Sequence, residues 1–151
     1  MSTGEDLRTL YNERIMALAD DIPLTERLEK PDATASVRSP LCGSRITVDL
    51  DVEDHRVVDY GHTVKACALG RAAASIMARH VIGKDFDELQ HVVRSLRAML
   101  KQGKPLPEDV WDDIRLLEPV RDYKSRHGSV MLAFDAVEKA LDEIEARSTT
   151  K

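Results

Sequence analysis

A run of alternating apolar and polar residues limits what this chain can fold into more than any other feature of its sequence. From Arg45 to Val52 every second residue is apolar, which places the apolar side chains on one face of a β-strand. The turn at residues 53–55 precedes a second alternation, which comprises Val58, Tyr60, His62 and Val64. Together they predict an antiparallel hairpin with one covered face and one face in water. Residues 35–37 are a candidate for a short edge strand.

Elsewhere the apolar residues recur at the spacing of an α-helix. We predict helices at approximately residues 7–18, 68–82, 86–103, 108–117 and 129–146. Asp85 is the expected N-cap of the third, and Gly103 its end. The fourth is expected to end before Pro119, because a proline disfavours helical geometry in the residue ahead of it. The order of elements predicts the α+β class, a small antiparallel sheet with helices packed on one face.

Length, charge and the absence of long apolar runs exclude several classes of protein. With 151 residues we expect one domain over residues 1–151, with flexible tails at residues 1–6 and 147–151. Acidic residues number 27 and basic residues 22, and the net charge of -5 argues against a nucleic-acid partner. Uncharged stretches fall short of the ~20 apolar residues that cross a bilayer, and the acidic N-terminus lacks a signal-peptide profile. We therefore expect a cytoplasmic protein without membrane contact.

Two cysteines are the residues best suited to chemistry. Cys42 lies in a turn with Pro40 and Gly43, which would expose its thiol beside free backbone N–H groups. Cys67 is predicted at the N-terminus of an Ala-rich helix, where the helix dipole stabilises a thiolate. Because the cysteines flank one hairpin, we expect both at the same edge of the sheet. Taken alone, they are explained equally well as small buried apolar side chains.

The order of these motifs resembles that of a known protein family. Ser39-Pro40-Leu41-Cys42-Gly43 precedes the alternating strand, Cys67 opens a helix of small residues, and Gly83-Lys84-Asp85-Phe86-Asp87-Glu88 follows. This pattern resembles the NifU-like iron–sulfur cluster assembly scaffolds, which include the IscU and SufU types. Residues 92–123 are similar to the helical insertion of the SufU type. The resemblance covers about residues 7–141 and implies the scaffold fold of that family.

The resemblance also implies a site and partners. Family members hold a two-iron cluster or Zn with three cysteines and usually an aspartate; they receive sulfur from a cysteine desulfurase and pass the cluster to iron–sulfur apo-proteins. Cys42 and Cys67 match two of the cysteines. Ser44 stands in place of the aspartate and Ser129 in place of the third cysteine, and neutral serine is a poor ligand for soft metals. His127 is a further candidate ligand through its imidazole.

These two replacements leave several functions open. We predict iron–sulfur cluster assembly in which Cys42 and Cys67 bind iron, a two-iron cluster or sulfur. The candidate metal ligands are Cys42, Cys67 and His127, with Ser44 and Ser129 as weaker candidates. The alternatives are a Zn-dependent sulfur acceptor for a desulfurase, a sulfur relay between two thiols, a homodimer that shares four thiolates, and a partner-binding or regulatory paralogue without a cluster. We predict no catalytic residue and do not expect an enzyme.

Charged residues outside the cysteine motifs support weaker interpretations. Basic residues recur at helical spacing at Arg94, Arg97, Lys101 and Lys104. This basic stripe is either a docking surface for an acidic partner or, more commonly, a solvated helix face. His80 is expected to be a hydrogen-bonded packing residue and His55 a solvated turn residue.

Overall fold

The computed structural model describes residues 11–39 and 43–149, which form a three-stranded sheet followed by helices. In chain order the elements are α1 (Glu13–Asp20), β1 (Ala33–Arg38), β2 (Arg45–Glu53), β3 (Arg56–Lys65), α2 (Ala68–His80), α3 (Phe86–Gln102), a 3-10 helix (Asp112–Asp122) and α4 (Lys124–Thr149). The predicted α+β class is confirmed. Of the predicted N-terminal helix, Leu7 and Leu10 lie outside the described residues. The described part begins only at Glu13, because the side chain of Asn12 accepts a hydrogen bond from Ile15 N as an N-cap, so the predicted helix is not continuous through Tyr11.

The sheet has the order β1-β2-β3, with both neighbouring pairs antiparallel. The predicted edge strand is present as β1 and is longer than expected. On β2 the inward side chains Ile46, Val48 and Leu50 are at most 1% exposed. Their burial follows from the alternation in the sequence, because one face of the strand is covered by α4 and the other is not.

A β-bulge alters the second strand of the hairpin. Asp51 pairs with Asp59 but Val52 pairs with Val57, so Val58 is an extra residue without an opposite partner. Val57 is therefore fully buried and Val58 is 41% exposed. The prediction that Val58 shares the covered face with Tyr60 is wrong, because the bulge reverses the alternation at that point.

The helices cover the inner face of the sheet, as predicted. Helix α4 contacts β1 and β2, and α2 packs between α1, α4 and β3. Four alanines of α2 are buried, namely Ala72, Ala73, Ala74 and Ala78, and their small side chains allow close helix packing. Helix α3 has the predicted caps, since the side chain of Asp85 accepts a hydrogen bond from Glu88 N and Gly103 has a left-handed φ of 68°. None of the described helices, the 26-residue α4 included, is long and apolar enough to span a membrane.

The limits of several helices differ from the prediction, most clearly around Pro119 and Gly128. The segment expected to end near Leu117 runs through Pro119 to Asp122 as a 3-10 helix. Proline has no N–H for an α-helical hydrogen bond, so this segment is not a continuous α-helix. Helix α4 begins at Lys124 instead of Ser129, so Gly128 lies within it. A Cβ at Gly128 would be 3.1 Å from Ser39 Oγ, so glycine permits the chain after β1 to approach this helix.

Both edges of the sheet are covered by groups from other parts of the chain. At β1, Lys139 Nζ donates to Ser36 O at 3.3 Å, and the guanidinium of Arg147 donates to Asp32 O. At β3, His62 N donates to Leu24 O at 3.1 Å. Because these groups satisfy backbone atoms that an added strand would use, the sheet is protected against edge-to-edge pairing.

The outer face is less exposed to solvent than predicted, because Asp49, which lies on this face, is fully buried. Arg27 Nε and Nη2 donate to its carboxylate at 2.5 and 3.0 Å, Leu28 N donates at 3.0 Å and Thr34 Oγ1 at 2.6 Å. Burial alone would raise the pKa of Asp49, but these hydrogen bonds and the charge of Arg27 lower it. On the next strand, a Cβ at Gly61 would lie 2.2 Å from Glu26 O, so glycine is needed there. Residues 24–28 are thereby held against the outer face.

His62 is buried with one nitrogen unpartnered. Its Nε2–H donates to Pro23 O at 2.9 Å, while its Nδ1 and the nearby Tyr60 hydroxyl have no hydrogen-bond partner within the described ranges. Burial lowers the pKa of His62, and the hydrogen bond to Pro23 opposes this only in part. The folded protein therefore holds a neutral imidazole under conditions in which an exposed histidine takes up a proton.

Stability is expected to fall on mild acidification because of His62. Below about pH 6.5 the unfolded chain binds a proton that the folded state excludes, so the free energy of unfolding decreases by up to about 1.4 kcal/mol per pH unit. Urea unfolding between about pH 7.5 and about pH 5.5 measures this slope. His62→Gln keeps an N–H for Pro23 but does not titrate, and should flatten the profile; the exposed His55→Gln should not. Equal slopes in all three proteins would contradict this explanation.

Candidate functional site

The site is centred on Cys67, which is half-buried at the N-cap of α2, two residues after the end of β3. Its backbone is extended, with φ −68° and ψ 174°, and its side chain makes no capping hydrogen bond. The Sγ atom lies 3.1 Å from Ser129 Oγ, at hydrogen-bonding distance. The structure thus brings together Cys67 and the serine that the resemblance places at the third cysteine position.

Ser129 is held against α2 by a close contact that the sequence did not reveal. It lies in the first turns of α4 and is only 2% exposed. A Cβ at Gly70 would be 2.5 Å from Ser129 Oγ and 2.7 Å from Ala66 Cβ. Gly70 therefore makes the room in which the serine hydroxyl reaches the thiol. A glycine one turn after a candidate cysteine is the signal in the sequence that could have pointed to this role, and it was not recognised.

Cys42 lies outside the described residues, so its predicted position next to Cys67 stays a prediction. The described residues on either side of it form a closed turn, in which Ser39 N donates to Ser44 O at 2.8 Å and Gly43 N donates to Ser39 O at 3.0 Å. Gly43 has a φ of +70°, which favours glycine. Ser39 is in turn in contact with Gly128, the residue before Ser129. The ends of this segment are thus fixed at the beginning of α4.

His127 is placed near Ser129 but holds other partners. It is buried, and its Nε2–H donates to Val120 O at 2.9 Å and to Arg121 O at 3.1 Å. These bonds join the end of the 3-10 helix to the start of α4. Since Nε2 carries the proton, only Nδ1 keeps a lone pair that a metal would require. The hydrogen bonds give His127 a structural role, and its predicted role as a ligand stays untested.

Described residues alone do not complete a metal site. Within residues 11–39 and 43–149, no three His, Cys, Asp or Glu side chains come close enough to hold one ion. The candidates in these ranges amount to one thiol at Cys67, one buried imidazole at His127, and the neutral hydroxyls of Ser44 and Ser129. A soft metal ion prefers several thiolates or imidazoles, and among the described residues Cys67 supplies the one thiol.

Three further expectations concern residues outside the site. His80 stacks on Trp111 with ring centroids 4.6 Å apart, and its Nε2 lies 3.0 Å from Asp113 Oδ2, so it is the packing residue that was predicted. His55 is an exposed turn residue, also as predicted. The basic stripe on α3 is interrupted, because Arg97 pairs at 2.7 Å with both Asp135 and Glu138 of α4.

A small antiparallel sheet covered on one face by helices, with a thiol at the end of the sheet, defines an α+β scaffold fold of the NifU-like class. The model for the NifU-like N terminal domain matches residues 10–151, and the chain belongs to this family. The chain is similar to a solved structure of a nitrogen-fixing NifU-like protein (N-terminal) from Brucella abortus. The identity is 46%, the TM-score is 0.91, and the match covers 93% of this chain and 98% of that one.

Two further relatives match over nearly their whole lengths. The iron–sulfur cluster assembly scaffold protein IscU of Thermotoga maritima is 25% identical, over 91% of this chain and 96% of that protein. The zinc-dependent sulfurtransferase SufU of Bacillus subtilis is 26% identical, over 96% of this chain and 98% of that protein. The resemblance to NifU-like, IscU and SufU proteins is thereby confirmed.

Proposed function

We propose that this protein acts in iron–sulfur cluster assembly as a carrier that receives sulfur on Cys67 and passes sulfur, or a cluster built from it, to acceptor proteins. The observation that carries the proposal is the 3.1 Å contact between Cys67 Sγ and Ser129 Oγ. A serine hydroxyl can donate a hydrogen bond to a thiolate or to a persulfide, whereas it is a weak ligand for a soft metal. Membership of the NifU-like family and the names of the IscU and SufU relatives support the assignment.

The proposed transfer is a thiol exchange that needs no external oxidant. The Cys67 thiolate attacks the terminal sulfur of a persulfide on a cysteine desulfurase, and a new sulfur–sulfur bond forms on Cys67. The sulfur–sulfur bond of the donor breaks at the same time, and the donor cysteine leaves as a thiolate. Ser129 would hold the attacking thiolate in place through its hydroxyl. Iron–sulfur apo-proteins are the proposed recipients, and the protein is proposed to act in the cytoplasm as a carrier and not as an enzyme.

A second candidate function is a partner-binding paralogue that carries no cluster. The observation that favours it is the neutral Ser129 at the position where family members have a third cysteine, together with the lack of a three-residue ligand group in the described ranges. Such a protein would keep its partners after both cysteines are replaced. The sulfur carrier would keep binding too, but would lose the sulfur.

The deciding experiment is a persulfide assay. We expect the reduced protein, incubated with a cysteine desulfurase and L-cysteine, to gain the mass of one sulfur atom on Cys67, as read by peptide mass spectrometry. Cys67→Ser should lose this modification. Ser129→Ala should retain it but form it about tenfold more slowly, the equivalent of about 1.4 kcal/mol and typical of a hydrogen bond to a charged group. Cys42→Ser tests whether the second thiol resolves the persulfide.

Two outcomes would count against the proposal, the first against the carrier itself and the second against Cys67 as its acceptor. Sulfur that appears on neither cysteine, with the protein folded and the desulfurase turning over, would favour the partner-binding paralogue. Equal labelling of wild-type protein and the Cys67→Ser variant would place the acceptor at Cys42 and remove the role assigned to the Cys67–Ser129 pair. Iron and acid-labile sulfide measured on protein purified without air would show whether a cluster is the cargo.

A further inference from the structure

Three cations form a row across the end of the sheet. Arg38 of β1 pairs with Arg45 of β2, and Arg45 pairs with Lys65 of β3. All three residues are exposed, and they lie on the outer face because the residues next to them in the strands, Val37, Ile46 and Val64, face the core. We call Arg38, Arg45 and Lys65 the cationic row. Within the described part of the chain, none of the three makes an ion pair or a side-chain hydrogen bond.

The cationic row is unfavourable for the isolated protein. Neighbouring strands lie about 4.8 Å apart, and like charges directly opposite one another destabilise a sheet. The protein as a whole carries a net charge of -5 and pairs other arginines with carboxylates, as at Arg27–Asp49 and Arg97–Asp135. Among the described residues, the fold therefore provides no carboxylate partner that would stabilise the three cations of the row. An acidic group from outside would relieve their repulsion.

The cationic row borders the candidate site. Lys65 lies two residues before Cys67, a distance of at most about 7 Å along an extended chain. Arg38 and Arg45 are the residues just outside the turn closed by Ser39 and Ser44, the segment that contains Cys42 in the sequence. A protein that docks on the row is thereby brought next to the thiol.

The surface around the row is open and polar. An open groove of about 460 Å³ runs beside Arg38 and Arg45 and includes the hydroxyl residues Ser36, Thr47 and Thr63. Farther from the site, residues 24–28 cover the outer face above Asp49. Ser36 Oγ and Thr47 Oγ1 share a hydrogen bond at 2.8 Å. The exposed part of this face is thus the end that carries the row, where the cations are the groups that would bind carboxylates.

We propose that the cationic row is the docking surface for an acidic segment of the cysteine desulfurase that delivers sulfur to Cys67. This inference rests on the proposed function. Three cations on an acidic protein are too few to hold a nucleic acid, and the row has no buried donor that would make a site for a small anion. A protein segment that carries several carboxylates would complement the charge of the row, and the charge attraction would accelerate encounter by a factor of about 10 or more at low salt.

The test is charge reversal of the row against a matched control. Arg38→Glu/Arg45→Glu/Lys65→Glu reverses the row; Arg94→Glu/Lys101→Glu/Lys104→Glu reverses three exposed cations of the basic stripe and gives the same net charge. We expect the row variant to bind the desulfurase at least tenfold more weakly, mainly through slower association, and to lose most of the salt dependence. Biolayer interferometry at low and physiological salt measures both. The control should stay close to wild type.

The outcomes separate this inference from the proposed function. A neutral variant, Arg38→Gln/Arg45→Gln/Lys65→Gln, introduces no new repulsion and should also bind the desulfurase more weakly than wild type. It provides the test if the charge-reversed variant does not fold. Unchanged binding in the row variants, an equal loss in the control, or no binding of wild-type protein to the desulfurase would each overturn the proposal. If binding depends on the row but neither Cys42 nor Cys67 receives sulfur, the docking surface stands and the sulfur-carrier function fails.

Discussion

An Asp49→Ala variant is expected to lose about 2–4 kcal/mol of free energy of unfolding. The replacement leaves Leu28 N and the Thr34 hydroxyl without their acceptor beneath the loop at residues 24–28, and it removes the partner of Arg27. Breaking a fully buried ion pair costs about 3–5 kcal/mol. The Arg27 side chain is 45% exposed, so water solvates part of its charge, and the cost here should lie in the lower part of that range or below it.

Urea unfolding at neutral pH provides the measurement, and two variants provide controls. Asp59→Ala removes the same charge from an exposed position on the neighbouring strand and should change stability by less than about 0.5 kcal/mol. Asp49→Asn keeps the shape of the side chain without its charge, and its loss of stability should lie between those of Asp49→Ala and Asp59→Ala. Because the pKa of Asp49 is lowered in the folded state, the stabilisation it gives is present above about pH 3.9 and is lost as the pH falls below that. An Asp49→Ala protein as stable as Asp59→Ala would show that Asp49 does not stabilise the fold through residues 24–28.

Replacing Ser129 with cysteine is expected to raise the affinity of the reduced protein for Zn²⁺ by about 100-fold, or about 2.7 kcal/mol. Ser129 Oγ already lies 3.1 Å from Cys67 Sγ, so a sulfur at this position would place a second thiolate beside the first. Thiolates are strong ligands for zinc and hydroxyls are not. Competition with a chromophoric chelator under reducing conditions measures the change.

The control for this variant lies on the same helix. Ser125→Cys adds a thiol one turn earlier on α4 at an exposed position, and should leave zinc affinity within about threefold of wild type. Adding Cys67→Ser to Ser129→Cys should abolish the gain. If Ser125→Cys and Ser129→Cys bind zinc equally well, the Ser129 position has no special relation to Cys67.

The elements that the sequence predicted best are those whose signals are local. Helix α3 has its N-cap at Asp85 and its left-handed end at Gly103, because both residues act within a single turn of chain. The bulge at Val58 depends on the register of two strands, and the buried Asp49 depends on a loop more than twenty residues away. No pattern within one element contains that information, so both were missed.

The same division holds for the candidate site. Cys67 was predicted at the N-terminus of a helix from local spacing alone, and the structure places it there. Its contact with Ser129 joins residues that are 62 positions apart, and only the family resemblance connected the two. Gly70 and the cationic row were not singled out, because their meaning lies in what another strand or helix places opposite them.

The distance in sequence between Cys67 and Ser129 also bears on when the thiol becomes competent during synthesis. The ribosome releases Cys67 well before Ser129, and the hydroxyl arrives only once α4 has docked beside α2. An incompletely folded chain would thus present the Cys67 thiol without the Ser129 hydroxyl and would accept sulfur more slowly than the folded protein. A ligand that binds only when Ser129 lies next to Cys67 would in turn stabilise the conformation in which α4 is packed on α2. Sulfur loading of newly made protein would then report that the chain has finished folding.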